Sequence, residues 1–268
     1  MRWRAAVFVA ALLVAGLVFA GRQTPGHQDP AASTEPELVL WLWEHPEDLR
    51  FLQDAGADET ASVAVAPLLG TLRWTADGLK TFTRRQPWTA PADLPRIAVV
   101  RLESSRDAPP WSEGARAEVV ERVLAWLERE RARSPRWRGL QIDFDARQSE
   151  RVAYRALLRD LRHRLDHELT LGITALLSWC TGDPWIRDLP VDEAVPMYFR
   201  MGEAAPSFRA RAARQDLPVP LCRQSYGFST DEPWVPTRGG RRLYVFNPRP
   251  WRTDDLDNLR FLNVGGPP

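Results

Sequence analysis

The residues with the most evident chemical potential are Asp143 and Asp145, in the run Leu140, Gln141, Ile142, Asp143, Phe144, Asp145, Ala146. Side chains alternate between the two faces of an extended strand, so Gln141, Asp143 and Asp145 share one face and Ile142 and Phe144 the other. Two carboxylates held side by side repel, and at least one of them then keeps its proton closer to neutral pH, as a general acid must. The plainer role for the pair is to bind a basic neighbour such as Arg101, or to cap the helix that starts near Ser149. Arg101 and Glu103 repeat the same spacing one strand earlier, which makes Glu103 the expected partner carboxylate. A separation from Asp145 of about 5 Å would suit retention of sugar configuration and one of about 6.5–9.5 Å inversion. The competing reading is an arginine–carboxylate network that only holds the rim together.

Other chemistries have less support. His163 and His167 are four apart, but no Glu stands beside His163 as in zinc proteases, and no metal or other cofactor is expected. No Gly-x-Ser-x-Gly elbow occurs, and no glycine-rich turn follows the first strand, where Glu44-His45-Pro46-Glu47 stands instead, so a serine-hydrolase or a phosphate cradle is not indicated. Trp41, Trp43, Trp179 and Tyr198 lie at or near strand ends, where aromatic faces stack on sugar rings; Trp179 and Tyr198 are the expected platform, and most of the 12 tryptophans are read as packing.

These residues need elements to position them. From Leu38 onward short β-branched or aromatic runs alternate with helical patterns, the mark of βαβ units and a largely parallel sheet. Strands are expected at 38–43, 62–66, 96–102, 140–144, 169–174, 194–198, 219–224 and 243–247. Helices are expected at 112–133 and 149–164, the second with Ser149 as N-cap, with shorter ones at 46–52, 207–214 and 254–261. Residues 71–88 read as either helix or further strands. Eight strands with intervening helices predict an α/β fold, a TIM-type (β/α)8 barrel, whose functional groups gather at the C-terminal ends of the strands. That rule selects Asp143, Asp145 and Glu103 as the catalytic centre and Glu44, Arg101, Gln141, Trp179, Tyr198, Arg200 and Gln224 as substrate-binding residues.

The chain has 268 residues, of which 44% are hydrophobic and 26% charged, enough for one large core. Its net charge of +1 gives no field to attract nucleic acid. Arginines at positions 2 and 4 precede an uninterrupted apolar run from Ala5 to Ala20. This predicts export: a signal peptide or short signal anchor at 1–20, a flexible linker at 21–37 and a single barrel domain at 38–268. The protein is then periplasmic, or held at the inner membrane through residues 5–20, its only membrane contact. Cys180 and Cys222 are placed on strands separated by a neighbour, which predicts two buried free thiols, although an oxidising compartment would permit a bridge.

The runs Trp41 to Glu44 with Pro46 to Leu49, Gln141 to Ala146, Thr174 to Cys180 and Pro190 to Met197 together resemble the bacterial family called domain of unknown function 3142. That family implies no particular activity. The Asp143-Phe144-Asp145 strand end is also distantly similar to the fourth strand of chitinase-type glycoside hydrolase barrels, in which the motif ends in a catalytic Glu; here Arg147 stands at that position. The missing Glu means that the substrate-assisted mechanism of that family does not carry over; the strand-end acids and aromatics themselves predict a glycoside-hydrolase-like barrel acting on an envelope or extracellular carbohydrate. The rival implication is a barrel that binds carbohydrate, or docks in the envelope, without catalysis.

Overall fold

The structure, a computed structural model, describes residues 38–53, 63–238, 240–256 and 259. The expected leader and linker, 1–20 and 21–37, lie outside the described residues. In chain order the strands are β1 (Leu38–Leu42), β2 (Glu47–Asp48), β3 (Val63–Thr75), β4 (Gly78–Thr83), β5 (Trp88–Thr89), β6 (Arg96–Ser104), β7 (Trp137–Asp143), β8 (Thr170–Leu176), β9 (Glu193–Met197), β10 (Ser225–Ser229) and β11 (Arg242–Phe246). The α-helices are α1 (Glu113–Arg131), α2 (Arg151–Arg164), α3 (Leu177–Thr181) and α4 (Ala205–Arg214).

Eight strands, β1, β3, β6, β7, β8, β9, β10 and β11, pair in parallel around a closed ring, which β1 completes by pairing with both β3 and β11. This is the expected TIM-type barrel. Alternation explains the strand sequences: Leu38, Leu40 and Leu42 of β1 face the outer layer, while Val39 and Trp41 face the lumen with Ala64, Ala66, Val99, Val195 and Tyr244. The helical coat is uneven. The clearest amphipathic patterns became the long helices α1 and α2, which pack beside each other outside β6 and β7. Ser112 caps α1, its Oγ accepting from the Ala115 N–H at 3.1 Å.

One open alternative is decided and three local expectations change. Residues 71–88 hold strands: β3 runs on past the barrel and folds back antiparallel as β4. The turn goes through Gly78, whose φ of 99° suits glycine. Residues 46–52 form β2 and a 3-10 turn, because the Glu47 N–H donates to the Pro87 carbonyl and aligns β2 with β5. Ser149 does not cap α2; it lies in a 3-10 turn, Gln148–Glu150, closed by the Glu150 carboxylate accepting from the Arg147 N–H. Residues 219–224 are likewise not a strand. Pro220 starts a 3-10 turn at Pro220–Arg223, and the strand follows at Ser225–Ser229.

That last shift brings Cys222 beside Cys180 of α3, with Cα atoms 5.9 Å apart, and the two form a disulfide. Neither cysteine lies in a strand, which removes the reason for expecting free thiols. The bridge spans 42 residues, and closing such a loop in the unfolded chain is worth roughly 4 kcal/mol at most. The Cys180→Ser, Cys222→Ser double variant is expected to unfold about 2–4 kcal/mol more easily in urea, as reduction of the native protein should; an unchanged midpoint would refute the bridge.

Candidate functional site at the C-terminal mouth of the barrel

The strand ends build the site layer by layer. Deep in the lumen the Trp41 indole N–H donates to Gln141 Oε1 across the barrel at 2.8 Å. Gln141 is therefore buried beneath the mouth, bracing Trp41, and lines neither of the pockets above it. Above that layer stand Arg101 and Glu103 on β6, Asp143 at the end of β7, Asp145 just beyond it and Thr174 on β8.

The Thr174 hydroxyl donates to Asp143 Oδ1 at 2.7 Å, and Arg101 Nε lies 4.0 Å from the other Asp143 oxygen. The same Nε is 3.0 Å from Glu103. Burial pushes the Asp143 carboxyl above the usual range; the Thr174 hydrogen bond and Arg101 pull it back, and Asp145 and Glu103 push it up again. Asp145 stands more open to solvent at the rim and is shifted the same way, by partial burial against the pull of Arg101. The three expected catalytic carboxylates are thus brought together around one guanidinium. Glu103 is the most committed of them, since Arg73 donates from Nε to its other oxygen at 2.6 Å.

Two pockets meet at this cluster, and both are lined by Arg101, Asp143 and Asp145. The larger, about 580 Å³, is polar and adds Arg73, Glu103, Arg106, Arg147 and Glu150. The smaller, about 280 Å³, is largely aromatic and adds Trp41, Trp43, Phe199 and Phe246. Phe199 stacks on Phe246 with ring centres 5.9 Å apart, and the Arg101 guanidinium lies 5.8 Å from the Trp43 ring centre.

The substrate-binding expectations divide. Arg101 lines both pockets and Arg200 lines the aromatic one. The Arg200 side chain is taken up by Asp231 and Glu232, each at 2.9 Å. Its backbone has a φ of 54°, an uncommon conformation for a non-glycine residue, held by its N–H donating to Glu232. Glu44 is exposed and lines neither pocket; the loop that carries it is fixed instead by Arg84, which donates to the carbonyls of Leu42 and His45 at 2.6 Å. Trp179 and Tyr198 belong to the outer core. Trp179 packs edge-on against Trp185, and Tyr198, next to the lumen-facing Met197, points outward onto Tyr226 and Phe228. Gln224 precedes β10, so it lies at the opposite, N-terminal end of the barrel and donates to the Asp192 carbonyl there.

Sequence reasoning missed Arg73, Arg106, Thr174, Phe199 and Phe246 as lining residues. Thr174 and Phe246 were open to the same alternation rule that selected Asp143, once their strands were aligned. Arg147 donates to Glu150 Oε1 at 2.7 Å. Burial tends to raise the Glu150 carboxyl, but the hydrogen bonds from the Arg147 side chain and N–H and from Ser104 outweigh it and hold it below the usual range. Among the described residues no three or more His, Cys, Asp or Glu side chains are placed so that they could hold a metal ion together.

Asp143→Asn gives a test of this electrostatic arrangement. A carboxyl whose folded pKa lies above its unfolded value destabilises the fold while ionised, and the penalty fades as pH falls through the folded pKa toward the unfolded value of about 4. At pH 7–8 the variant is expected to melt at or above the wild-type temperature, with the difference shrinking as the pH is lowered toward the ordinary carboxylate range. A variant that melts well below wild type at pH 8 would overturn the assignment.

The family model described as domain of unknown function (DUF3142) matches residues 92–192. The matched segment contains Arg101, Glu103, Asp143, Asp145 and Thr174, and the run at 41–49 lies outside it. Among solved structures the chain is similar to the Bacillus cereus spore cortex-lytic enzyme SleL, with 14% identity and a TM-score of 0.42 over 75% of this chain and 52% of that one. The chain thus spans about half the length of that structure. No curated protein matches the chain.

Proposed function

We propose that the C-terminal mouth of the barrel binds a saccharide and hydrolyses a glycosidic bond, with Asp143 and Asp145 as the acidic pair. The observation that carries this reading is the meeting of an aromatic pocket and a polar pocket at those two carboxyls. Sugar rings have apolar faces that stack on aromatic side chains and hydroxyl edges that hydrogen-bond to charged groups, so a bond between two sugars lying one in each pocket crosses the acidic pair.

The chemistry needs one carboxyl protonated and one ionised. Asp143, the more enclosed and with Asp145 and Glu103 close by, keeps the proton and gives it to the glycosidic oxygen as the bond to the anomeric carbon breaks. Asp145, closer to solvent, takes a proton from the water that adds to that carbon. The positive charge of Arg101 pulls Asp145 toward its ionised form, and Glu103 fixes Arg101 in place. Export belongs to the same proposal. It rests on the apolar run Ala5 to Ala20 and is supported by the Cys180–Cys222 bridge, since disulfides persist in oxidising compartments.

A second reading has an observation of its own in its favour. In the motif resemblance to chitinase-type barrels Arg147, here tied to Glu150, replaces the terminal Glu, which suits a barrel that binds carbohydrate without cleaving it.

The experiment incubates the folded chain with arrays of bacterial and plant oligosaccharides and measures new reducing ends. Asp143→Asn and Asp145→Asn are each expected to lower the rate at least about 100-fold, with a bell-shaped pH profile in the wild type. Binding without turnover in all three proteins would establish the second reading, and no binding to any glycan would remove both.

A further inference from the structure

We infer that the saccharide taken by the polar pocket carries an anionic substituent, held by the arginines that converge there; the inference rests on the carbohydrate reading above and specifies its substrate class. Arg73 comes from β3, Arg101 from β6, Arg106 from the loop directly after it and Arg147 from the segment after β7, so three stretches of chain deliver four guanidiniums to one cleft.

The way these charges are matched carries the argument. Glu103 is a single carboxylate shared by two cations, with Arg73 on one oxygen and Arg101 on the other. Arg147 and Glu150 form a one-to-one pair. Arg106 is exposed, lines the cleft and makes no hydrogen bond or ion pair with the described residues. Four guanidiniums therefore face two permanently engaged carboxylates. The remaining acidic groups are Asp143 and Asp145, and the hydrolytic reading gives that pair one proton and so one negative charge. One positive charge is left without a counterpart until the substrate arrives.

A neutral sugar would leave it so. A carboxylate, sulfate or phosphate on the ring next to the scissile bond would accept charge-assisted hydrogen bonds from Arg106 and Arg73 in the planar geometry that guanidinium favours. The aromatic pocket, which has Arg200 at its edge tied to Asp231 and Glu232, offers no such free cation and takes the uncharged neighbouring ring.

The test measures binding of the full chain, and release of reducing ends, with uronic-acid oligosaccharides: fragments of polygalacturonate, alginate and hyaluronan. Each is paired with the same chain after reduction of its carboxylates to alcohols. At least one acidic member is expected to bind ten-fold or more tightly than its reduced partner at low ionic strength, with the preference shrinking as salt is raised. In the Arg73→Gln, Arg106→Gln double variant the acidic-to-neutral ratio is expected to fall toward one. An Arg129→Gln control, which removes a positive charge from the exposed side of α1, is expected to keep it. Equal binding of acidic and reduced chains, or a preference untouched by the double variant, would overturn the inference while leaving the carbohydrate reading intact. Absence of binding to any glycan, neutral or acidic, would overturn both. Sulfated fragments of the same length serve as a further arm: tighter binding of sulfate than carboxylate, with the same arginine dependence, keeps the anionic class and identifies the group as sulfate.

Discussion

The lumen of an eight-stranded barrel is just wide enough for side chains to fill, and Trp41 fills the middle of this one. Its indole fits because residues around it are small. A Cβ on Gly227 would stand 3.2 Å from the far edge of the Trp41 ring, and Ala64 and Ala66 of β3 leave room on the neighbouring strand. With the centre plugged and its N–H satisfied by Gln141, the polar side chains one layer higher face the mouth instead of an empty core. Trp43, Arg101, Asp143 and Thr174 are in reach of one another because the layer beneath them does not give.

Arg101 then decides how that mouth behaves. Without a cation, Glu103, Asp143 and Asp145 would repel one another across a partly buried space. Arg101 lies against Glu103 and within reach of Asp143, while its own position is fixed by Glu103 and by the Trp43 face. Burial still dominates at Asp143 and leaves its carboxyl above the usual range in spite of Arg101 and Thr174.

The alternation of the strands made most of this legible in the sequence. Asp143 and Asp145 share a face with Gln141, and Arg101 shares one with Glu103, as the period of two requires. The errors came where that period does not apply or was not followed. Trp179 is in a helix, and Tyr198 was selected as a strand-end aromatic although its neighbour Met197 holds the inward position. Gln224 was placed at the wrong end of the barrel because the apolar run at 219–224 has a strand's composition but begins with a proline-initiated turn. Arg73 was out of reach for another reason: it lines the cleft only because β3 continues beyond the barrel and pairs with β4, a tertiary outcome that local composition at 71–88 left open. That extension depends in turn on Gly70, where a Cβ would run into the Phe82 backbone and the Trp126 ring of α1.

The ring closes between its first strand and its last: Leu38 of β1 pairs with Leu243 of β11, and the Trp251 indole N–H donates to the Trp41 carbonyl at 3.1 Å. During synthesis the strand that carries the central plug therefore emerges early and then waits for almost the whole remaining domain before its second neighbour exists. Contacts so distant along the chain form late and slowly. The partly made barrel would expose two open edges for that entire interval, so a ribosome-bound or truncated chain ending before β11 has no completed mouth and keeps unpaired strand edges open to other chains.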